Sequence, residues 1–169
     1  NLNDTSGGIE LENKGYSKYL LGKKFYPFPP AQIDLLANLS KEIVARYQIE
    51  PRNVVAHSDI APQRKDDPGP LFPWQEMAQR GVGAWPDAGF GQARLAGRDP
   101  QQPVDQAQLL ALRKQYGYTA TDDMTQAQQR RVIAAFQMHF RQSDYRGNAD
   151  AQTQAIVQAL LQQFPDKND

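Results

Sequence analysis

The chain has 169 residues, enough for one domain of ordinary size or two small ones. Its 19 basic and 19 acidic residues cancel, which excludes bulk attraction to nucleic acid, so we expect no nucleic-acid partner. The absence of cysteine excludes disulfides, thiolate metal sites and cysteine nucleophiles. No apolar run is long enough to span a membrane, and the first residues lack the regions of a signal peptide.

The first part of the chain is predicted to be an α/β unit. Residues 8–12 alternate apolar and acidic side chains, which predicts a short strand with its acidic residues on one face. Residues 31–47 repeat apolar side chains every three or four positions, which predicts an amphipathic helix. The β-branched run at 54–56 predicts a buried strand that leads into His57. Strand, helix and strand in this order indicate an α/β fold.

A proline-rich loop follows this unit. Four prolines and a glycine exclude regular structure between residues 62 and 73. A short helix is predicted over 74–79, and residues 81–97 are predicted to be irregular. Proline and glutamine then mark a linker. The predicted domains are residues 1–98 and 104–169, joined by a linker at 99–103.

Three helices are predicted in the second part of the chain, with Thr125 as the N-cap of the middle one. A bundle of about 60 residues is marginal in isolation, so we expect it to dock on the first unit. The predicted ranges are 104–116, 125–142 and 150–163.

The candidate chemistry lies between His57 and Pro70. Imidazole and carboxylate are both good zinc ligands, and a catalytic zinc takes three protein ligands and leaves a position for water. His57 and Asp67 supply two, on a loop that prolines stiffen. Alternatively, Asp67 only stabilises an Asp-Pro-Gly turn, His57 is structural, and Glu10 is a solvated residue on the outer face of a strand.

Residues 57–70, with the sequence HSDIAPQRKDDPGP, closely resemble the motif of the zinc-dependent N-acetylmuramoyl-L-alanine amidases. Members of that family share a fold with the peptidoglycan recognition proteins and phage T7 lysozyme. Residues 8–12 resemble the family's strand that carries a catalytic glutamate, and both motifs occur in the family's order. The resemblance implies an α/β fold with a mixed sheet flanked by helices, followed by a small three-helix domain.

The resemblance also implies a role for each motif residue. His57 and Asp67 would be ligands of a zinc cofactor, Lys65 would stabilise the oxyanion, and Glu10 would be the general base. Family members hydrolyse the amide between N-acetylmuramic acid, or its anhydro form, and L-alanine of the peptidoglycan stem peptide. Expected partners are therefore muropeptides or intact peptidoglycan.

One family ligand has no counterpart in this sequence. The family uses a further zinc histidine on a strand that would lie N-terminal to Asn1. We therefore expect the chain to be the larger C-terminal part of an amidase whose N-terminal part is absent or is a separate piece. The other histidine, His139, is expected to be structural because it lies within a helix of the second unit. The expected location is the periplasmic side of the envelope, with an outer-membrane anchor through an N-terminal lipid-modified segment.

The second unit resembles, more weakly, the three-helix type of peptidoglycan-binding module, through residues 134–141 and 148–153. Phe136 and Phe140 lie four positions apart and are expected to be core residues, not a platform for sugar rings. An alternative function is a non-catalytic peptidoglycan-binding protein, because relatives on this fold that lose a zinc ligand bind without cutting. A purely helical interaction protein is disfavoured because it leaves residues 57–70 unexplained.

Overall fold

The computed structural model describes residues 5–19 and 22–166. This part of the chain holds one antiparallel hairpin, in which Tyr16 pairs with Phe25, together with a 3-10 turn at Pro51–Asn53 and seven α-helices. The strands are β1 (Tyr16–Tyr19) and β2 (Gly22–Phe25). The helices are α1 (Pro30–Tyr47), α2 (His57–Ile60), α3 (Trp74–Gln79), α4 (Ala88–Leu95), α5 (Gln106–Tyr116), α6 (Gln126–Phe140) and α7 (Ala151–Gln163).

The first unit is built around α1. Proline at the first helical position starts this helix, and Gln48 ends it in the left-handed conformation. The apolar face of α1 packs on α3 and on the loop before it. The core of the unit consists of Ile33, Leu36, Ala37, Phe72, Trp74, Met77 and Val82.

The helices of the second unit begin at N-cap side chains that accept a backbone N–H from the first turn: Asp105 for α5, Thr125 for α6 and Asp150 for α7. Phe136 and Phe140 are buried in its core, as predicted. Helices α2 and α3 contact α6, and α4 contacts α7, so the predicted docking of the two units is confirmed. No described helix is both long enough and apolar enough to cross a membrane.

Both predicted strands are wrong in detail. Residues 8–12 have no strand partner within 5–19 and 22–166, and Ile9 is exposed, so their alternation has no sheet in which to form a ladder. Residues 54–56 are not a strand either, because the Val54 N–H donates to Pro51 O in the preceding turn. Val55 is also exposed, although a buried position was predicted.

The hairpin, the 3-10 turn, α2 and α4 were not predicted. Helix α2 begins at His57, which was expected to follow a strand directly. The hairpin lies in a segment that we expected to be a connection, and α4 lies within residues predicted to be irregular. Asp87 caps α4 by accepting the Phe90 N–H at 3.0 Å, and packing against α7 supports the helix despite its two glycines.

Candidate metal and catalytic site

The loop that follows α2 folds back, so that Asp67 lies beside the start of α2. The Ser58 N–H donates to the Asp67 carbonyl oxygen at 3.0 Å, which places the two ends of the loop side by side. As a result, His57 Nδ1 and Asp67 Oδ2 lie 2.6 Å apart. Both side chains are more than half exposed, at 56 % and 58 %. The two residues predicted as metal ligands are therefore adjacent and accessible.

These two side chains fit zinc as part of a ligand set. Imidazole nitrogen and carboxylate oxygen are both zinc donors, and here their donor atoms converge at the surface. Within residues 5–19 and 22–166, however, no group of three or more His, Cys, Asp or Glu side chains could hold a metal ion. The structure thus brings the two predicted ligands together, and their role in binding zinc stays a prediction.

The structure does not join the other two predicted site residues to this pair. Lys65 is exposed, and its backbone N–H donates to Ala61 O at 3.0 Å. Glu10 is exposed and makes no hydrogen bond or ion pair with His57 or Asp67. The roles of Glu10 and Lys65 therefore stay predictions.

The hairpin contacts the outer side of the loop, which sequence reasoning did not foresee. Lys23 of β2 forms an ion pair with Asp66, the residue before the predicted ligand. The Phe25 ring lies against Gly69 and makes an edge contact with Tyr145, with ring centroids 6.3 Å apart. The hairpin therefore contacts both the loop and the second unit.

A buried polar cluster lies behind α2. The carboxylate of Asp59 accepts the Ala56 N–H at 2.9 Å, the hydroxyl of Tyr118, and Nδ1–H of His139 at 2.9 Å. Tyr118 and His139 are 59 and 80 residues away in sequence. No spacing pattern links residues so far apart, so only the occurrence of Asp59 within residues 57–70 could have pointed to the cluster.

The electrostatics of this cluster favour an ionised Asp59 carboxylate and a protonated Tyr118 hydroxyl. Burial by itself would raise the pKa of Asp59, but His139, with further hydrogen bonds from Tyr118 and Ala56, holds that pKa below its ordinary value. Burial and the neighbouring carboxylate raise the pKa of Tyr118, so its hydroxyl remains a donor. Burial lowers the pKa of Arg113, which lies over the Tyr118 ring, to about 9.

Residues 1–70 match the family described as N-acetylmuramoyl-L-alanine amidase. The N-acetylmuramoyl-L-alanine amidase AmiD of Escherichia coli is 63% identical over 163 residues, which cover 96% of this chain and 59% of AmiD. The predicted resemblance to this family is confirmed. The anhydro-N-acetylmuramyl-L-alanine amidase AmpD of Enterobacter cloacae is 42% identical over 75 residues, or 44% of this chain and 35% of AmpD. The chain therefore spans little more than half of AmiD and about a third of AmpD.

Solved amidase structures have the same fold over the shared residues. A complex of Escherichia coli AmiD with the substrate anhydro-N-acetylmuramic acid-L-Ala-D-γ-Glu-L-Lys matches with a TM-score of 0.95 at 63% identity, covering 96% of this chain and 63% of that one. Pseudomonas aeruginosa AmpDh3, in complex with an anhydromuramic pentapeptide, matches with a TM-score of 0.89 at 39% identity, covering 98% and 65%. The predicted α/β amidase fold is confirmed.

Proposed function

We propose that this chain is part of a zinc-dependent amidase that hydrolyses the bond between N-acetylmuramic acid, or its anhydro form, and L-alanine of the peptidoglycan stem peptide. The convergence of His57 Nδ1 and Asp67 Oδ2 carries this proposal, because an imidazole nitrogen and a carboxylate oxygen, both suitable donors to zinc, meet at the surface of an amidase fold. The similarity to AmiD supports catalysis over the non-catalytic binding alternative.

His57 and Asp67 would hold the zinc ion, with a further histidine ligand from N-terminal to Asn1. Zinc, when bound, supplies a Lewis acid that polarises the scissile carbonyl and acidifies the attacking water. Glu10 would accept the proton of that water and return it to the departing L-alanine amine. The Lys65 ammonium would stabilise the charge that develops on the carbonyl oxygen.

The proposed partners are muropeptides or intact peptidoglycan. Anhydromuramoyl peptides bound to AmiD and AmpDh3 support this class of ligand. The proposed location is the periplasmic side of the envelope, where peptidoglycan lies, with an outer-membrane anchor through an N-terminal lipid-modified segment. Recognition of cell wall by the helical unit also stays a prediction.

The experiment that tests this function is product analysis by mass spectrometry. The natural full-length protein is incubated with anhydro-N-acetylmuramoyl-L-Ala-D-γ-Glu-L-Lys, with and without a zinc chelator. We expect a free sugar and a free peptide that begins with L-alanine, both abolished by the chelator and restored by zinc. We expect Lys65→Met to lower kcat by about 10²-fold or more, because it removes an oxyanion donor.

A matched control is Lys41→Met, which removes another exposed lysine, on α1. Its activity should equal that of the wild type. Binding of the muropeptide without cleavage under any zinc condition would contradict the proposal and favour a peptidoglycan-binding protein.

A further inference from the structure

We propose that Tyr118 and His139 of the helical unit are positioning residues for the metal ligand His57. This inference rests on the proposed function, since it assigns His57 to zinc. Helix α2 begins at His57 and has only four residues. A single helical turn is not stable by itself, so its orientation has to come from contacts with its surroundings.

Two contacts fix the first turn of α2. On the side of the loop, the Ser58 N–H donates to the Asp67 carbonyl oxygen at 3.0 Å. On the buried side, the carboxylate of Asp59 accepts the N–H of Ala56, the residue before His57, at 2.9 Å. The backbone on both sides of His57 is therefore held by hydrogen bonds, one of which depends on where the Asp59 side chain points.

Hydrogen bonds from the helical unit orient the Asp59 side chain. One Asp59 oxygen accepts the Tyr118 hydroxyl, and the other accepts Nδ1–H of His139 at 2.9 Å. Tyr118, Asp59 and His139 are each no more than 5 % exposed, so bulk water does not reach these hydrogen bonds. A buried carboxylate that loses a donor keeps an unsatisfied acceptor oxygen, which costs free energy. The side chain therefore tends to move toward another donor.

His139 is itself held rigidly. Its ring stacks on Trp74 of α3, with centroids 3.8 Å apart, and on Phe140, with centroids 3.9 Å apart. Its Nε2 is buried and has no hydrogen-bond partner among residues 5–19 and 22–166. Among these residues, the polar contact of the His139 ring is thus its hydrogen bond to Asp59. Stacking on Trp74 and Phe140 limits rotation of the ring away from Asp59.

The helical unit therefore contributes to the metal site without touching it. Loss of the Tyr118 hydroxyl should loosen α2 and with it the pairing of His57 with Asp67. Groups that orient metal ligands typically contribute about 10–100-fold to metal affinity or activity. Because Tyr118 acts through Asp59 and the backbone, we expect an effect near the lower limit of that range.

The test compares Tyr118→Phe with Tyr116→Phe in the natural full-length protein. Tyr116 is also buried, but its ring packs on Phe140, in the core of the helical unit. Zinc affinity is measured by competition with a chromophoric chelator. Steady-state kinetics on the anhydromuropeptide give kcat and KM. Amide hydrogen exchange at Ser58 is followed in the zinc-free protein. His139→Phe, which keeps an aromatic ring against Trp74, is the second variant.

We expect Tyr118→Phe and His139→Phe to weaken zinc binding about tenfold, to lower kcat with KM unchanged, and to speed exchange at Ser58. Tyr116→Phe should match the wild type in all three. Wild-type zinc affinity and Ser58 exchange in a folded Tyr118→Phe variant would overturn the inference while leaving the proposed function intact. A wild-type protein that neither binds zinc nor cleaves would instead overturn the proposed function and this inference with it.

Discussion

Replacement of Gly69 by alanine should destabilise the loop that carries Asp67. Gly69 has a φ of +80°, and the left-handed conformation costs an ordinary residue about 1–2 kcal/mol. A Cβ at this position would lie 2.7 Å from Cδ1 and 3.0 Å from Cε1 of Phe25. Carbon atoms prefer separations of about 3.5–4.0 Å, so the ring has to move.

Neighbouring rings limit the movement of the Phe25 ring. It lies between the rings of Tyr16 and Tyr145, with centroids 5.7 Å and 6.3 Å away. Overpacking of this kind costs about 1–3 kcal/mol. Adding the backbone cost gives an expected loss of about 2–5 kcal/mol in the free energy of unfolding of Gly69→Ala.

Urea denaturation measures this loss, and Gly81→Ala is the control. Gly81 has a φ of +87°, but a Cβ there would meet no heavy atom within 4 Å. Gly81→Ala should therefore show only the backbone cost of about 1–2 kcal/mol. Phe25→Leu in the Gly69→Ala background should recover part of the difference by relieving the contact. Equal losses for Gly69→Ala and Gly81→Ala would refute the reasoning.

Three further predictions concern catalysis, the core and acid stability. Glu10→Gln should lower kcat by about 10²–10⁴-fold with zinc content unchanged, whereas Glu12→Gln should leave kcat unchanged. Steady-state kinetics and elemental analysis measure these two quantities. Full activity of Glu10→Gln would exclude Glu10 as the general base. Phe136→Ala should lower the free energy of unfolding by about 3–5 kcal/mol in urea titrations, because Phe136 is fully buried. Hydrogen bonds from Arg146, opposed by partial burial, lower the pKa of Asp144, so its stabilising effect is present above the unfolded-state pKa and disappears as the pH falls. Asp144→Asn should thus be less stable than wild type at neutral pH and equally stable in strong acid; a constant difference across pH would contradict this.

Five of the seven described helices could be predicted from the sequence because their signals are local. The apolar repeat that predicted a helix over 31–47 lies within α1, and the 74–79 prediction coincides with α3. The three helices of the second unit begin and end within two residues of their predicted bounds. Side chains such as Thr125 mark their starts, since a cap acts on the backbone three residues away.

The strands could not be predicted in the same way, because a strand needs a partner. Residues 8–12 have the alternation of a strand, but no described residue pairs with them. The real hairpin pairs β1 with β2 in a stretch of sequence, residues 16–25, that contains no Asn-Gly or Asp-Gly, the pairs that mark a tight hairpin. Pattern alone therefore favoured the wrong segment.

One part of the candidate site could be predicted from the sequence, and another part could not. The proximity of His57 and Asp67 followed from a motif of local sequence, and the structure places them in contact. The cluster of Asp59, Tyr118 and His139 depends on how the two units dock, which no local signal specifies. His139 is buried, as expected of a structural histidine, but its hydrogen bond extends to the turn that begins at His57.

Zinc content tests the central claim most directly. Elemental analysis of the natural full-length protein, purified without added metal, should give about one zinc per chain, since a catalytic zinc site binds a single ion. The Asp67→Ala variant should lose that zinc while remaining folded, and Asp66→Ala, which removes only the ion pair with Lys23, should retain it. A folded Asp67→Ala variant with wild-type zinc content would contradict the account, because it would place the metal elsewhere.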